Sequence, residues 1–334
     1  MSILVTGGAG YIGSHCVRIL EDSGISTVVV DNLVKGHIEA LPKGYTKFYR
    51  GDIADSSLTD KIFRENEIDS VISFAAFSLV GESVSEPYEY YKNNVNATNE
   101  LLHSMVTHGV KKIVFSSTAA IYGNPVRIPI SEDDPKLPVN TYGRTKLAVE
   151  GLLESYAAAY NLKYAALRYF NVAGAHESAE IGEDHNPETH LIPVILSTAL
   201  GKRDKITVFG DDYDTKDGTN VRDYIDVSDL IDAHKRALDK LDDPGISSLR
   251  LNLGSGGGYS NLEVITAARE VTGHAIPLEI GARRAGDPDT LIASSAEAEK
   301  MLGWKRGKTD IREIIETAWK WHSSHPNGYS LRSN

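Results

Sequence analysis

The chain has a single cysteine, Cys16, among its 334 residues, so no disulfide bond can form within it. It also has no run of about 18 successive apolar residues, which argues against a membrane-spanning helix. The sequence begins with a strand pattern rather than a basic and apolar leader. These absences predict a cytoplasmic protein with no membrane partner. Cys16 is expected to be a packing residue, and a reactive thiol is the alternative.

Excess positive charge is also missing. Lys and Arg number 35 against 46 Asp and Glu, which gives a net charge of -11. A protein of this charge repels nucleic acid through its bulk electrostatics, so no nucleic-acid partner is expected. Any phosphate group must therefore be held locally, by loops and individual arginines.

Short β-branched runs alternate with helical stretches in the first half of the sequence, which is typical of β-α-β units in a parallel sheet. The strands are predicted at residues 3–5, 27–30, 47–49, 70–74, 112–115 and 163–167. The helices are predicted at residues 12–23, 58–66, 88–108 and 141–160. This order predicts an α/β fold with a Rossmann-type, doubly wound parallel sheet.

The pattern changes past Asn171 to loops rich in Gly, Asp, Pro and His, with shorter elements between them. We therefore predict a dinucleotide-binding domain over residues 1–171. Residues 172–334 are predicted to form mainly a smaller α/β substrate domain, with some segments returning to the first domain.

Three glycines, Gly7, Gly10 and Gly13, recur at three-residue spacing between the first strand and the first helix. Such a turn lets the backbone approach a pyrophosphate and directs helix amides at its charge. The spacing is GxxGxxG rather than GxGxxG. Asp31 follows the second strand, where a carboxylate can bind the adenosine ribose and repel the extra phosphate of NADP, so NAD is the expected cofactor.

Tyr142 and Lys146 stand four residues apart on the helix predicted over 141–160 and so share one face. An ammonium beside a phenol stabilises the phenolate and is expected to lower the pKa of Tyr142, which suits a general base. Thr118 follows a strand at the edge where the cofactor is expected. Ser116 and Ser117 are alternatives to Thr118 as the hydroxyl that hydrogen-bonds the reacting group.

The chain resembles the extended short-chain dehydrogenase/reductase family over nearly its whole length, and within it the enzymes that invert UDP-hexoses at C4. The segments that carry the resemblance are TGGAGYIGSH (6–15), DN (31–32), GDI (51–53), FSSTAAIYG (115–123), YGRTK (142–146), LRYFNVAG (167–174), FGDDYDTKDGTNVRDYI (209–225) and RRAGDP (283–288). The resemblance implies interconversion of UDP-galactose and UDP-glucose through transient oxidation at C4. It also implies a homodimer packed through the helices over 88–108 and 141–160.

Site residues follow from the same resemblance. The catalytic set is Tyr142 as base, Lys146 as its partner and Thr118 as a hydrogen-bonding group. The cofactor set is Gly7, Gly10, Tyr11, Ile12, Gly13, Asp31, Asn32, Asp52, Ile53, Phe74, Ala75, Ala76, Ser78, Asn93, Ser116, Tyr142, Lys146 and Phe170. The substrate set is Thr118, Tyr142, Asn171, His190, Leu191, Thr207, Val208, Phe209, Arg222, Tyr224, Arg284, Asp287 and Leu291.

The sequence departs from the family pattern at three of these positions. Ser78 stands where relatives carry Lys, and His190 stands where Asn is frequent. Leu291 is intermediate in size between a Tyr that restricts the hexose pocket and a small residue that admits an N-acetyl group. An epimerase of UDP-N-acetylhexosamines is therefore the nearest alternative.

Three other functions are less favoured. A 4,6-dehydratase would carry an acidic pair after Thr118, where Ala119 and Ala120 stand. A non-catalytic NAD sensor would be expected to lack Tyr142 or Lys146. No metal site is predicted, because the histidines and acidic residues between His176 and His190 lack the spacing of a defined metal motif.

Overall fold

A computed structural model describes residues 2–42, 46–284 and 287–329. The strands are β1 (Ser2–Thr6), β2 (Thr27–Asp31), β3 (Lys47–Arg50), β4 (Ile68–Ser73), β5 (Lys112–Thr118), β6 (Lys163–Tyr169), β7 (Asn171–Ala173), β8 (Ile206–Phe209), β9 (Val221–Arg222), β10 (Tyr224–Asp226), β11 (Ser248–Leu253), β12 (Tyr259–Ser260), β13 (Leu278–Gly281) and β14 (Thr290–Leu291). The α-helices are α1 (Tyr11–Asp22), α2 (Ser56–Glu65), α3 (Val80–Ser85), α4 (Pro87–Tyr90), α5 (Ala97–Thr107), α6 (Thr141–Tyr160), α7 (Leu191–Ala199), α8 (Val227–Lys240), α9 (Asn261–Thr272), α10 (Ala296–Leu302) and α11 (Ile311–Ser324).

The main sheet confirms the predicted Rossmann-type fold. Within the described ranges it has seven strands in the order β3-β2-β1-β4-β5-β6-β11, and every neighbouring pair is parallel. The chain winds outward from β1 in one direction and from β4 in the other, so a crevice opens between the carboxyl ends of these two strands. β11 belongs to the second half of the sequence yet extends this sheet beside β6.

The second strand shows why the sheet needs continuous apolar runs. Val28 and Val30 belong to the core on the face covered by α2, α5 and α6, whereas Val29 belongs to the core on the face covered by α1 and α8. All three are almost fully buried. A strand covered on both faces must be apolar at successive positions, and each buried Val contributes about 1.5–3 kcal/mol.

The helix predicted over residues 88–108 is not a uniform α-helix. Between α4 and α5 the backbone forms a π-helical turn over Tyr91–Asn96, a local widening that is common at functional sites. Asn94 lies in this turn and is buried. Its side chain accepts from the backbone N–H of Phe77 at 2.8 Å and donates to the Phe77 carbonyl at 3.0 Å. The wider turn thereby fixes the loop that follows β4.

The later part of the chain builds a second apolar core from α7, α9 and α11 together with β8. In the parts of the chain that the structure describes, three small sheets flank it, in the orders β10-β7, β12-β9-β14 and β13-β8. Among the described residues, no helix has the length and apolar character needed to cross a membrane.

Candidate active site

The glycine turn between β1 and α1 is built for close backbone approach. Gly7 has φ +68°, and a Cβ placed on it would lie 2.7 Å from the backbone N of Ala75. A Cβ on Gly13 would lie only 2.1 Å from the Gly7 carbonyl oxygen. The N-cap of α1 is Gly10, which offers no side-chain acceptor to the first helical amides. The turn therefore presents helix N–H groups that can bind a phosphate.

Asp31 ends β2 beside this turn and stabilises it through hydrogen bonds. One carboxylate oxygen accepts from the backbone N–H of Ala9 at 3.0 Å, and the other accepts from that of Leu33 at 2.8 Å. Burial raises the pKa of Asp31, and the two backbone hydrogen bonds act against that shift. Each oxygen keeps a second lone pair, so the carboxylate can support the turn and still accept from a ribose.

The other predicted cofactor residues lie at the carboxyl ends of neighbouring strands. Asn32 donates to Asp52 at 3.1 Å, which joins the ends of β2 and β3. Phe74 follows β4 and packs near the ring of the buried His234, with 5.0 Å between the ring centroids. The remaining cofactor candidates vary in exposure: Ile53 is buried, Ile12, Ala75, Ala76, Asn93 and Phe170 are half-buried, and Ser78 is exposed.

Tyr142, Thr118 and Lys146 converge at the end of β5. Thr118 is the last residue of that strand, and its hydroxyl lies near enough to the phenol of Tyr142 to lower the phenol's pKa. The ammonium of Lys146 lies 5.9 Å from the centre of the Tyr142 ring and 4.8 Å from that of Phe115. Lys146 is 3 % exposed, so its charge is held in an apolar setting.

The expected lowering of the Tyr142 pKa is not produced by the contacts of the protein itself. Burial raises the pKa of Tyr142, and only the hydrogen bond with Thr118 acts in the opposite direction. Lys146 donates to the carbonyl of Ser116 at 2.8 Å, and burial lowers its own pKa to about 7. Burial of both groups therefore opposes the stabilisation of a phenolate that the sequence spacing suggested.

The start of α6 is fixed from three sides, which positions Tyr142. Asn140 caps the helix by accepting from the N–H of Gly143 at 2.8 Å. Ser83 of α3 accepts from the N–H of Tyr142 at 3.1 Å. A Cβ on Gly143 would lie 2.5 Å from the carbonyl oxygen of Ala120, so only glycine lets α6 approach the turn after Thr118. Sequence reasoning did not identify Gly143, although it stands inside the YGRTK segment.

The two serines that competed with Thr118 have other partners. The hydroxyl of Ser116 contacts the hydroxyl of the buried Tyr169. Ser117 donates to Glu150 at 2.6 Å. Glu150 in turn forms a buried ion pair with Arg168 at 2.7 Å. Of the three hydroxyls, that of Thr118 is the one that acts on the phenol of Tyr142, where it lowers the pKa.

Arg222 and Asp287 were predicted for the substrate end, and the structure brings them together. The guanidinium of Arg222 donates to Asp287 at 2.9 Å, and Asn220 donates to the other oxygen of the same carboxylate at 3.0 Å. Asn171 lies close by, donating to the carbonyl of Asp223 at 3.2 Å. The ion pair holds Arg222 in place but also occupies part of its hydrogen-bonding capacity.

Arg284 lies over the ring of Phe209, with 4.0 Å from its guanidinium carbon to the ring centre. Arg284 and Asp287 line a cleft of about 650 Å³ together with residues 124–125, 128, 283 and 288–290. Tyr142 is not among these lining residues, so the cleft lies toward the predicted nucleotide end. The predicted segment 283–288 includes Ala285 and Gly286, which lie outside the described residues.

The remaining substrate candidates fall into different environments. Thr207 and Val208 lie in β8, and Thr207 donates to Glu279 at 3.0 Å. Leu291 packs on the small cluster of Ile121, Tyr122 and Ile130 that follows Thr118. Leu191 begins α7, and Tyr224 is buried in the second core. His190 precedes α7 and contacts the carboxylate of Glu183.

These residues fit an NAD molecule. Gly7, Gly10 and Gly13 leave the space and the amides for a pyrophosphate, and the carboxylate of Asp31 stands at the end of the next strand. Lys35 stands four residues after Asp31 and is the nearby cation that could bind a 2′-phosphate, but it donates to the carbonyl of Asn186 at 3.0 Å. The Asp31 carboxylate and the engaged Lys35 side chain therefore favour NAD over NADP.

Comparison with known proteins gives a consistent result. The model of the NAD dependent epimerase/dehydratase family matches residues 3–254. A UDP-glucose 4-epimerase of Halalkalibacterium halodurans is 56% identical over 333 residues, which covers 100% of this chain and 99% of that protein. A crystal structure of a UDP-glucose 4-epimerase has a TM-score of 0.96 at 52% identity, covering 99% of this chain and 100% of the other. The UDP-glucose 4-epimerase of Bifidobacterium longum, solved with NAD+ and UDP, has a TM-score of 0.93 at 42% identity, covering 98% and 100%.

Proposed function

The chain belongs to the NAD-dependent epimerase/dehydratase family, within the extended short-chain dehydrogenases/reductases, and we propose that it interconverts UDP-galactose and UDP-glucose by inverting C4. The observation that carries this proposal is the convergence of Tyr142, Thr118 and Lys146 at the sheet edge that also holds the glycine turn. A base, a hydrogen-bonding hydroxyl and a dinucleotide turn at one edge are what transient oxidation of an alcohol requires.

Tyr142 removes the proton from the C4 hydroxyl while Thr118 hydrogen-bonds the same oxygen. NAD, when bound, would supply the hydride acceptor for C4. Lys146, fixed by the Ser116 carbonyl, stands where it can hold the nicotinamide ribose. The product of this step is a 4-keto sugar. After the hexose turns over, the hydride removed from C4 would return to its opposite face, and Tyr142 would return the proton to the oxygen.

Inversion requires a firmly held nucleotide and a loosely held hexose. Arg222 and Arg284 are proposed to bind the diphosphate, because a planar guanidinium can pair two hydrogen bonds with phosphate oxygens. Phe209 is 36% exposed and offers a ring face to uracil. Leu291 is proposed to line the hexose pocket. Because its side chain is intermediate in size, inversion of N-acetylated UDP-hexoses is the second candidate activity.

The whole protein is proposed to be a cytoplasmic homodimer. Apolar side chains are exposed on the helices that the resemblance assigns to the interface. Tyr88 is 72% exposed, Tyr91 42% and Tyr160 51%.

Cys16 is fully buried, and burial raises the pKa of its thiol, so it is a packing residue rather than a reactive one.

The direct test is to incubate the purified protein, without added cofactor, with UDP-galactose and separately with UDP-N-acetylgalactosamine. We expect conversion of UDP-galactose to UDP-glucose, measured by chromatographic separation of the two nucleotide sugars. The ratio of the two rates decides whether Leu291 admits the acetamido group. If neither sugar is inverted, although the protein is folded and retains NAD, the proposed activity is wrong.

Arg284→Ala is expected to raise KM for UDP-galactose about 10- to 100-fold with little change in kcat, because a charge-assisted hydrogen bond contributes about 1.5–3 kcal/mol. The matched control is Arg283→Ala. Arg283 lies over Tyr213 at 3.9 Å and pairs with Asp289 at 2.5 Å, so it is already engaged within the protein. An equal effect of both substitutions, or loss of NAD from Arg284→Ala, would show that Arg284 does not hold the substrate.

A further inference from the structure

Residues 174–190 connect β7 to α7 without forming a helix or a strand. Loops of this length inside a compact protein are uncommon and are usually functional. This one turns a carboxylate inward. Glu183 is only 4 % exposed, and a buried charge of this kind is normally paired or bound to a metal.

Two imidazoles and a second carboxylate surround Glu183. Glu183, His185, Glu188 and His190 each offer one ligand atom, and these four atoms all lie within 4.8 Å of one another. Ligand atoms about 2.0–2.2 Å from a tetrahedral zinc ion lie roughly 3.3–3.6 Å apart. The most widely separated of the four atoms would therefore need to approach one another by at most about 1.4 Å to share one ion.

The contacts among these side chains centre on the carboxylate of Glu183. Glu183 Oε1 lies 3.1 Å from Nδ1 of His185 and also contacts Nδ1 of His190. The two imidazole rings are 5.3 Å apart and almost perpendicular. Glu188 Oε1 accepts from the backbone N–H groups of Thr189 and His190 at 2.7 and 2.8 Å. Those bonds leave Oε2 directed at His185, 3.7 Å from its Nδ1.

We propose that Glu183, His185, Glu188 and His190 bind one divalent transition-metal cation of the zinc class. Two imidazole nitrogens and two carboxylate oxygens are a suitable four-coordinate set for such an ion. The sequence alone predicts no metal site here, because the spacing matches no defined motif such as HExxH. Here an irregular loop, rather than a helix face, brings the ligands together.

The same four groups could instead form an ion-pair network with protons on both imidazoles. Burial opposes protonation of His185, but its hydrogen bonds to Glu183 and Glu188 outweigh burial and raise its pKa to about 10. A divalent cation would replace two protons without changing the net charge. Metal content and affinity distinguish the two states, whereas the fold alone does not.

The site would be structural and lies beside the cofactor turn. The ring of His185 meets the ring of Tyr11 edge-on, with 6.3 Å between the centroids. Tyr11 is the first residue of α1, and its hydroxyl donates to the carbonyl of Gly174 at 2.7 Å. A bound ion would therefore fix residues 174–190 against the start of α1. The proposal rests on these contacts and not on the epimerase activity; His190, a predicted substrate residue, would serve here as a metal ligand.

The experiment uses untagged full-length protein with its NAD retained, because a polyhistidine tag would itself bind metal. After treatment with a chelator, the protein is titrated with Zn²⁺ in competition with a chromophoric chelator. We expect one tightly bound Zn²⁺ per chain, a higher unfolding temperature with Zn²⁺, and the visible absorption of four-coordinate Co²⁺ when Co²⁺ is substituted. His185→Gln and Glu188→Gln should each weaken Zn²⁺ binding more than about 100-fold, since even loss of an outer-shell partner costs 10–100-fold.

His176→Gln is the matched control. His176 lies in the same loop, but its Nδ1 contacts Ser178 rather than the four proposed ligands. This variant should bind Zn²⁺ as the wild type does. Wild-type protein that binds no stoichiometric Zn²⁺ would overturn the proposal, as would His185→Gln and Glu188→Gln variants with unchanged affinity. Glu188→Gln keeps the test valid if the His185 variant fails to fold, because Glu183 retains its imidazole contacts.

Discussion

Tyr142→Phe is expected to lower the turnover of UDP-galactose by about 10²–10⁴, the usual contribution of a positioned acid/base. The substitution removes only the hydroxyl that contacts Thr118 and keeps the aromatic ring against Lys146. Nucleotide affinity should stay near the wild-type value, because the ring volume and the start of α6 are unchanged. Initial rates under saturating UDP-galactose and a direct binding measurement with UDP provide the two readouts.

The control for this variant is Tyr49→Phe. Tyr49 lies on β3 and donates its hydroxyl to Glu65 at 2.7 Å, so it loses a phenol hydrogen bond outside the site. Its turnover should match the wild type. A Tyr142→Phe enzyme that works within tenfold of the wild-type rate would remove Tyr142 from the proton transfer, while the proposed substrate could still be correct.

Arg168→Met is expected to lower the free energy of unfolding by about 3–5 kcal/mol, because it leaves a buried carboxylate without its partner. Arg168 and Glu150 are 2% and 5% exposed in their side chains and are joined by two hydrogen bonds of 2.7 and 3.0 Å. Arg168 also donates to the hydroxyl of Tyr122 at 2.9 Å. The midpoint of urea unfolding, measured at one fixed protein concentration with NAD bound, reports the loss.

The double variant Arg168→Met with Glu150→Leu should regain a large part of this stability, because it buries no unpaired charge. Arg236→Met is the surface control. Arg236 pairs with Asp232 on α8 with both side chains about half exposed, and such pairs contribute roughly 0–1 kcal/mol. If Arg168→Met is no more destabilising than Arg236→Met, the buried pair does not hold α6 against β6 as its geometry indicates.

The pair matters to the site because of its position on α6. Tyr142, Lys146 and Glu150 follow one another at four-residue spacing and share one helix face. Glu150 binds β5 through Ser117 and β6 through Arg168. The same helix face that presents the proposed base is therefore fixed to the two strands that carry Thr118 and its neighbours.

Over the first 171 residues, the sequence by itself determined the alternation of strands and helices, the parallel sheet and the glycine turn. Val28–Val30 and the pattern of Gly7, Gly10 and Gly13 are local signals, because burial on both faces and close backbone approach restrict each position directly. The bounds of α6 were also predictable, since its N-cap Asn140 and its helical run lie next to one another in the sequence. The π-helical turn was not, because Asn94 bonds to Phe77, 17 residues away.

Only the tertiary structure decided which side chains meet. Arg222 pairs with Asp287 65 residues later, and Lys146 turns to the Ser116 carbonyl rather than acting on Tyr142 alone. Even the cluster from Glu183 to His190, though close in sequence, depends on how an irregular loop packs against Tyr11 and α7. Periodicity fixes the face of a helix or strand, whereas partners between elements are chosen by the packing of the whole chain, which no short segment contains.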